Sequence, residues 1–143
     1  MILVSACLAG IKCRYNGGSK PEPEIMALYK SGEAIAACPE ELGGLAIPRP
    51  PAQFQGGTGD DVLKGKARVV REDGADVTEN YIAGANAVLR IMRELNLHEA
   101  TLKARSPSCG MGLVWREGRL VEGNGVCAAL LLKEGIKIIV GGA

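Results

Sequence analysis

Four short aliphatic runs, at residues 2–6, 34–37, 100–104 and 136–140, alternate along the chain with segments of helical spacing. That alternation is what most limits the fold. Continuous apolar runs bounded by turn residues read as strands buried on both faces, and strands of that kind linked through helices assemble into a mostly parallel sheet. The expected architecture is α/β, a single Rossmann-like domain over residues 1–143 with helices covering the sheet.

Helices are expected at 24–30, led in by Pro21 and Pro23 and stopped by Gly32, and at 126–133, closed by Gly135. The strongest helical pattern covers 79–96, with Thr78 as N-cap and Ile82, Ala85, Leu89, Met92 and Leu95 on one face. A small strand at 67–70 precedes an Asp73-Gly74 turn, and 113–121 reads as a hairpin about Glu117-Gly118. Residues 39–65, with Gly43-Gly44, Pro48-Arg49-Pro50-Pro51 and Gly56-Gly57, show no periodicity. They are expected to form a long active-site loop.

Composition narrows the function classes. Acidic and basic residues almost cancel, leaving a net charge of +1 without a Lys/Arg cluster, so no nucleic-acid or anionic-membrane partner is expected, though a small local basic site is allowed. The apolar start lacks a basic n-region and runs into Lys12-Cys13-Arg14, which makes it a strand rather than a signal peptide. No run approaches the roughly 20 apolar residues of a membrane span. A cytoplasmic location is the expectation, and nothing fixes the oligomeric state.

In such a compartment thiols serve metals or catalysis more often than structural disulfides. Four of the five cysteines, Cys7, Cys13, Cys38 and Cys109, lie in loops of glycine, proline and small polar residues, where sulfur is expected at exposed edges. Cys127, in an apolar run, reads as a core thiol. Cys7, Cys38 and Cys109 each follow a predicted strand, and ligands of open α/β sheets bind beyond the carboxyl ends of strands. Three thiols converging there would suit zinc with a fourth ligand, an iron–sulfur cubane with one free iron, or thiol redox chemistry; tolerated packing thiols are the plain alternative. There is no Cys-x-x-Cys pair to decide among them.

The motifs Ser5-Ala6-Cys7-Leu8-Ala9-Gly10, Cys13-Arg14-Tyr15-Asn16-Gly17, Cys38-Pro39-Glu40, Gly43-Gly44-Leu45, Pro48-Arg49-Pro50-Pro51-Ala52, Gly65-Lys66-Ala67-Arg68-Val69 and Ser106-Pro107-Ser108-Cys109-Gly110 occur in this order over nearly the whole chain. They resemble the domain-of-unknown-function family 523 (DUF523). Members of that family that look like thiouracil desulfidases carry a [4Fe–4S] cluster held by three cysteines. The resemblance implies Cys7, Cys38 and Cys109 as the ligands, with the open iron binding the sulfur of a thiolated nucleobase such as 2-thiouracil. Cys13 matches the motif but lies further out in its loop, and is read as a pocket-lining or packing thiol.

Replacing C=S by C=O with water needs a group that accepts and then returns a proton, a task one carboxyl group can perform. Glu40, two residues from a proposed ligand, is the candidate; a structural cap is its other reading. Glu41 is read as solvated. Ser106 is placed either on substrate or the attacking water, or in a turn that bonds its own backbone. Arg49 is placed either on a carbonyl or carboxylate of the substrate, or in solvent. His98, the one histidine, is expected on the surface after the long helix, which argues against a histidine-based cysteine hydrolase; Asn124 is a turn or cap residue. Gln53, Met111 and Cys127 stand where the family commonly has glutamate, a small residue and threonine, which bears on pocket size and substrate preference. The competing classes are a metal-free thiol redox or sulfur-carrier protein and a nucleobase-binding module without turnover.

Overall fold

A computed structural model describes all residues, Met1–Ala143. Four strands, β1 (Ile2–Ser5), β2 (Ala34–Ala37), β5 (Glu99–Lys103) and β8 (Lys137–Gly141), form an all-parallel sheet in the order β2-β1-β5-β8. Two antiparallel ribbons accompany it, β3 (Ala52–Gln55) with β4 (Arg68–Arg71), and β6 (Leu113–Arg116) with β7 (Arg119–Glu122). The sheet is covered by α1 (Pro23–Lys30) on one side and by α4 (Thr78–Glu94) and α5 (Val126–Lys133) on the other. No helix is long and apolar enough to cross a membrane.

The period-two geometry of a strand sorts the core into two layers. Leu3, Ala100 and Ile138 face the large cluster with Val88, Met92 and Leu131, whereas Val4 and Ala34 face a smaller one with Leu8 and Ile25. Complete burial of a side chain such as Met92 or Val88 contributes about 2 kcal/mol each. The buried face of α4 is Tyr81, Ala85, Val88, Leu89 and Met92, rotated from the expected one. Leu95 is exposed, and Tyr81 is inside.

Two local expectations change. Thr78 is the first residue of α4 rather than its cap, because Asp76 Oδ1 accepts its N–H at 2.9 Å and frees the Thr78 hydroxyl to accept the Val69 N–H at 2.9 Å. Residues 39–65 are not a long irregular loop. They contain α2 (Pro39–Leu42), β3 and α3 (Gly59–Leu63), so the irregular backbone is confined to 43–51, 56–58 and the turn at 64–65. The signals were brief: proline opening α2 ahead of Glu40 and Glu41, the buried Phe54 in an alternating strand, and a capping box of Thr58 with Asp61.

α2 lies on α4 backbone to backbone. A Cβ on Gly84 would stand 1.8 Å from the Pro39 carbonyl oxygen, and one on Gly43 would stand 2.0 Å from that of Asn80. The Asn80 amide donates to the Gly43 carbonyl at 2.8 Å and locks the pair. Replacing a helical glycine by alanine ordinarily gains up to about 1 kcal/mol. Here overpacking dominates, and Gly84→Ala is expected to lose about 2–3 kcal/mol of stability in urea unfolding. A neutral or stabilised variant would show that α2 is not seated this way.

Candidate active site

The strand ends that carry the three cysteines are neighbours. β1 delivers Ser5 and then a single 3-10 turn, Ala6–Ala9, that holds Cys7; β2 delivers Cys38 at the N-cap position of α2; and β5 leads through Ala104 and Arg105 to Cys109. The chain passes from β1 to β2 on one side while β5 pairs on the other, which makes β1 the point where strand order reverses. Ligand crevices form at such points. Here the crevice is a cavity of about 480 Å³, lined by Cys7, Cys13, Cys38 and Cys109 together with Glu40 and Ser106.

The sulfurs are not at exposed edges as expected. Cys7, Cys13 and Cys109 are buried and Cys38 is half-buried, because the 3-10 turn and the segments after it fold back over the sheet: Lys20 N–H donates to the Cys7 carbonyl at 3.0 Å and Glu22 N–H to that of Leu8 at 2.9 Å. Cys127 is fully buried in the core, as read from the sequence. All five thiols are free. No group of three Cys, His, Asp or Glu side chains is arranged to hold a metal ion.

Cys38 Sγ donates to the Cys13 carbonyl at 3.8 Å. The neighbouring Cys13 thiol lowers Cys7, and it lowers Cys38 to about 7, against the cost of burial. The same two contacts raise Cys13, so it keeps its proton. Burial pushes Cys109 up to about 12, opposed by the hydroxyls of Ser5, which donates to Sγ at 3.3 Å, and of Ser108. Ser5 in turn accepts the Lys103 N–H at 2.9 Å, which fixes its direction.

The loop carrying Cys109 is held by the start of α5. Val126 N–H donates to the Pro107 carbonyl at 2.8 Å and Cys127 N–H to that of Ser108 at 2.9 Å, satisfying amides that a helix N-terminus leaves free. Ser106 makes the turn bond its sequence allowed, its Oγ accepting Cys109 N–H at 2.7 Å, and it also faces the cavity.

Glu40 sits in the first turn of α2, and its carboxylate is addressed from three elements. The Tyr81 hydroxyl on α4 donates to Oε1 at 2.5 Å, the Ser108 hydroxyl lies 3.3 Å from Oε2, and Arg49 lies 3.5 Å from Oε2. Ser108 is also 3.6 Å from Cys109 Sγ, so its single proton serves either acceptor. Burial first, then the Glu40 charge, pushes Tyr81 well above its ordinary value, so it remains a donor. Glu41, exposed, points away because it follows Glu40 by one position on a helix rather than on an extended segment.

Arg49 is neither in solvent nor on the cavity lining. Its side chain is 3% exposed, donating to the carbonyls of Ala46 and Cys13 at 3.1 Å each, with Nε unpartnered, so the guanidinium braces the site from behind the lining. His98 is exposed, and Asn124 bridges Gly112 N–H and Asp60 at 3.0 Å each. Gln53, Met111 and Cys127 all lie off the lining; Gln53 accepts the Glu117 N–H of the β6–β7 turn at 2.9 Å.

Sequence reasoning missed Ser5, Ser108, Tyr81 and the half-exposed lining aromatics Tyr15 and Trp115. Tyr81 alone carried a signal, as the first member of the Tyr81, Ala85, Val88, Met92 stripe. The others depend on loops meeting in space. Four cationic side chains, Arg14, Lys20, Lys103 and Arg105, also line the cavity, against the one carboxylate of Glu40.

The chain resembles known proteins over its whole length. It is 47% identical over 142 residues to the uncharacterized protein YbbK of Bacillus subtilis (strain 168), covering 97% of this chain and 94% of that protein. The solved structure of the [4Fe-4S]-dependent thiouracil desulfidase TudS (DUF523Vcz) superposes with a TM-score of 0.86 at 40% identity, covering 98% of this chain and 89% of that one. Residues 2–142 match the model of the family described as 2-thiouracil desulfurase. With the match running over nearly every residue, the chain belongs to the 2-thiouracil desulfurase family.

Proposed function

We propose that this protein removes sulfur from a thiolated nucleobase such as 2-thiouracil by a non-redox reaction with water, using a [4Fe–4S] cluster held by Cys7, Cys38 and Cys109. The observation that carries the reading is the meeting, in one cavity, of thiols from three adjacent strand ends with a carboxylate held by hydroxyl donors. The donor set fits the group: thiolates are the soft ligands that iron–sulfur clusters take, and the thiols of Cys7, Cys38 and Cys109 line one cavity. When bound, the cluster supplies a soft Lewis acid for the thiocarbonyl sulfur.

The chain's own residues do the rest. The planar base lies against Tyr15 and Trp115, whose exposed rings line the cavity. Glu40 takes a proton as water adds to the thiocarbonyl carbon, and returns it as the C–S bond breaks, so that C=S and H₂O become C=O and H₂S. Ser106, with its oxygen accepting from Cys109 N–H and 3.4 Å from Ser108 Oγ, turns its hydroxyl proton from Ser108 to substrate or water. Arg49 and Cys13 hold the frame, the guanidinium bonding the Cys13 carbonyl beside Glu40.

Purification without oxygen, followed by reconstitution with iron and sulfide, tests the cluster. Cys7→Ala, Cys38→Ala and Cys109→Ala should each lose the cluster absorbance and most of the bound iron, while Cys13→Ala keeps both. Stoichiometric iron in all three variants would overturn the ligand set. A reversible disulfide in a protein that never binds iron would favour the thiol redox class instead.

For the reaction, Glu40→Gln should bind iron normally and release hydrogen sulfide from 2-thiouracil about 100-fold or more slowly, the usual contribution of a general base. Undiminished release would remove Glu40 from the chemistry.

A further inference from the structure

Glu40 has two carboxylate oxygens, and their surroundings differ. Oε1 receives the Tyr81 hydroxyl at 2.5 Å, a short charge-assisted bond, whereas Oε2 has only Ser108 at 3.3 Å and Arg49 at 3.5 Å. The Glu40 side chain is 17% exposed although the Arg49 behind it is only 3% exposed, so an edge of the carboxylate stays open. We infer that Tyr81 positions Glu40, anchoring Oε1 and leaving Oε2 as the oxygen that receives the proton of the attacking water.

Tyr81 suits that task. Its ring is buried in the core among residues of α4, and the same helix carries Asn80 and Gly84, which fasten α2 by the Gly43 amide bond and the close backbone contact. Phenol and carboxylate are thus fixed to one rigid pair of helices, so the bond between them varies little. An unanchored glutamate rotates about its terminal torsion and offers either oxygen in several directions. Anchoring one oxygen removes that freedom before substrate arrives, and misplacement of a catalytic group by about 1 Å costs on the order of 100-fold. Burial keeps the phenol protonated, in the donor state this role requires.

The inference rests on Glu40 acting as the base, and a double-mutant cycle separates the two. Tyr81→Phe keeps the ring and removes only the hydroxyl. It is expected to lower kcat for 2-thiouracil about 10- to 100-fold with KM within about 2-fold and iron content unchanged. In the Glu40→Gln background the same change should alter kcat less than about 2-fold, because the group it positions is already gone. Urea unfolding of the cluster-free variants gives a readout independent of turnover, and there too the two substitutions should be non-additive. An inactive Glu40→Gln beside a fully active Tyr81→Phe, losses that multiply in the double variant, or additive stabilities would overturn the role of Tyr81 alone. Full activity in Glu40→Gln would overturn the base assignment and this inference with it.

Discussion

β1 is hydrogen-bonded on both edges to strands that run the same way, with Ser5 in register with Ala37 on one side and Val4 with Thr101 on the other. Parallel pairing forces each of these strands to end at the same edge of the sheet and each connection to return from the opposite edge. Three loops are therefore brought side by side by backbone pairing alone. Strands in a sheet are about 4.8 Å apart, so the segments leaving β2, β1 and β5 start within roughly 10 Å of one another. Everything specific about the cavity is then a matter of how each segment is bent: a 3-10 turn after β1, a proline-started helix after β2, and a loop pinned under α5 after β5.

Each bend is stabilised by contacts that also shape the chemistry. α2 is close enough to α4 only because Gly43 and Gly84 lack side chains, and this closeness lets the Tyr81 hydroxyl reach Glu40. The amides at the start of α5 would need other partners if the loop of Ser106 to Gly110 were elsewhere, so loop and helix fix one another. Burial has an opposing effect on the thiols. It raises Cys109, and the hydroxyls of Ser5 and Ser108 are the compensation, since hydrogen bonds to a thiolate favour the charged form. Cys7 and Cys38 are compensated differently, by the thiol of Cys13, so the fourth loop cysteine acts as a neighbour of the ligand candidates.

The parts legible in the sequence were those written in local pattern. Aliphatic runs marked the four sheet strands within one residue, and Glu117-Gly118, both at positive φ (50° and 76°), marked the hairpin turn. The order of elements placed Cys7, Cys38 and Cys109 at one edge. Helices of four or five residues escaped notice because one helical turn has no periodicity to detect, as α2 and α3 show. Burial of the sulfurs was also hidden: the glycines after Cys7 and Cys13 announced turns, but the cover over those turns comes from residues 20–22 bonding back to Cys7 and Leu8. The burial of Arg49 was hidden for the same reason. Its sequence neighbours are prolines, whereas two of its partners, the Cys13 carbonyl and Glu40, are 36 and 9 positions away.

Net charge is the clearest case of a global quantity concealing a local one. The chain as a whole carries +1, yet the cavity gathers four cationic side chains and one carboxylate. Placing several thiolates in a partly dry cavity is costly without nearby positive charge. Lys103 and Arg14 both favour the thiolate of Cys7, and Arg49 favours that of Cys38. Lys103 is itself lowered, by burial first and then by Arg14, with the Cys7 charge opposing both. Cys7 and Lys103 thus stabilise one another's charged states, and Arg14 and Lys103 are the part of the basic lining that answers the thiols.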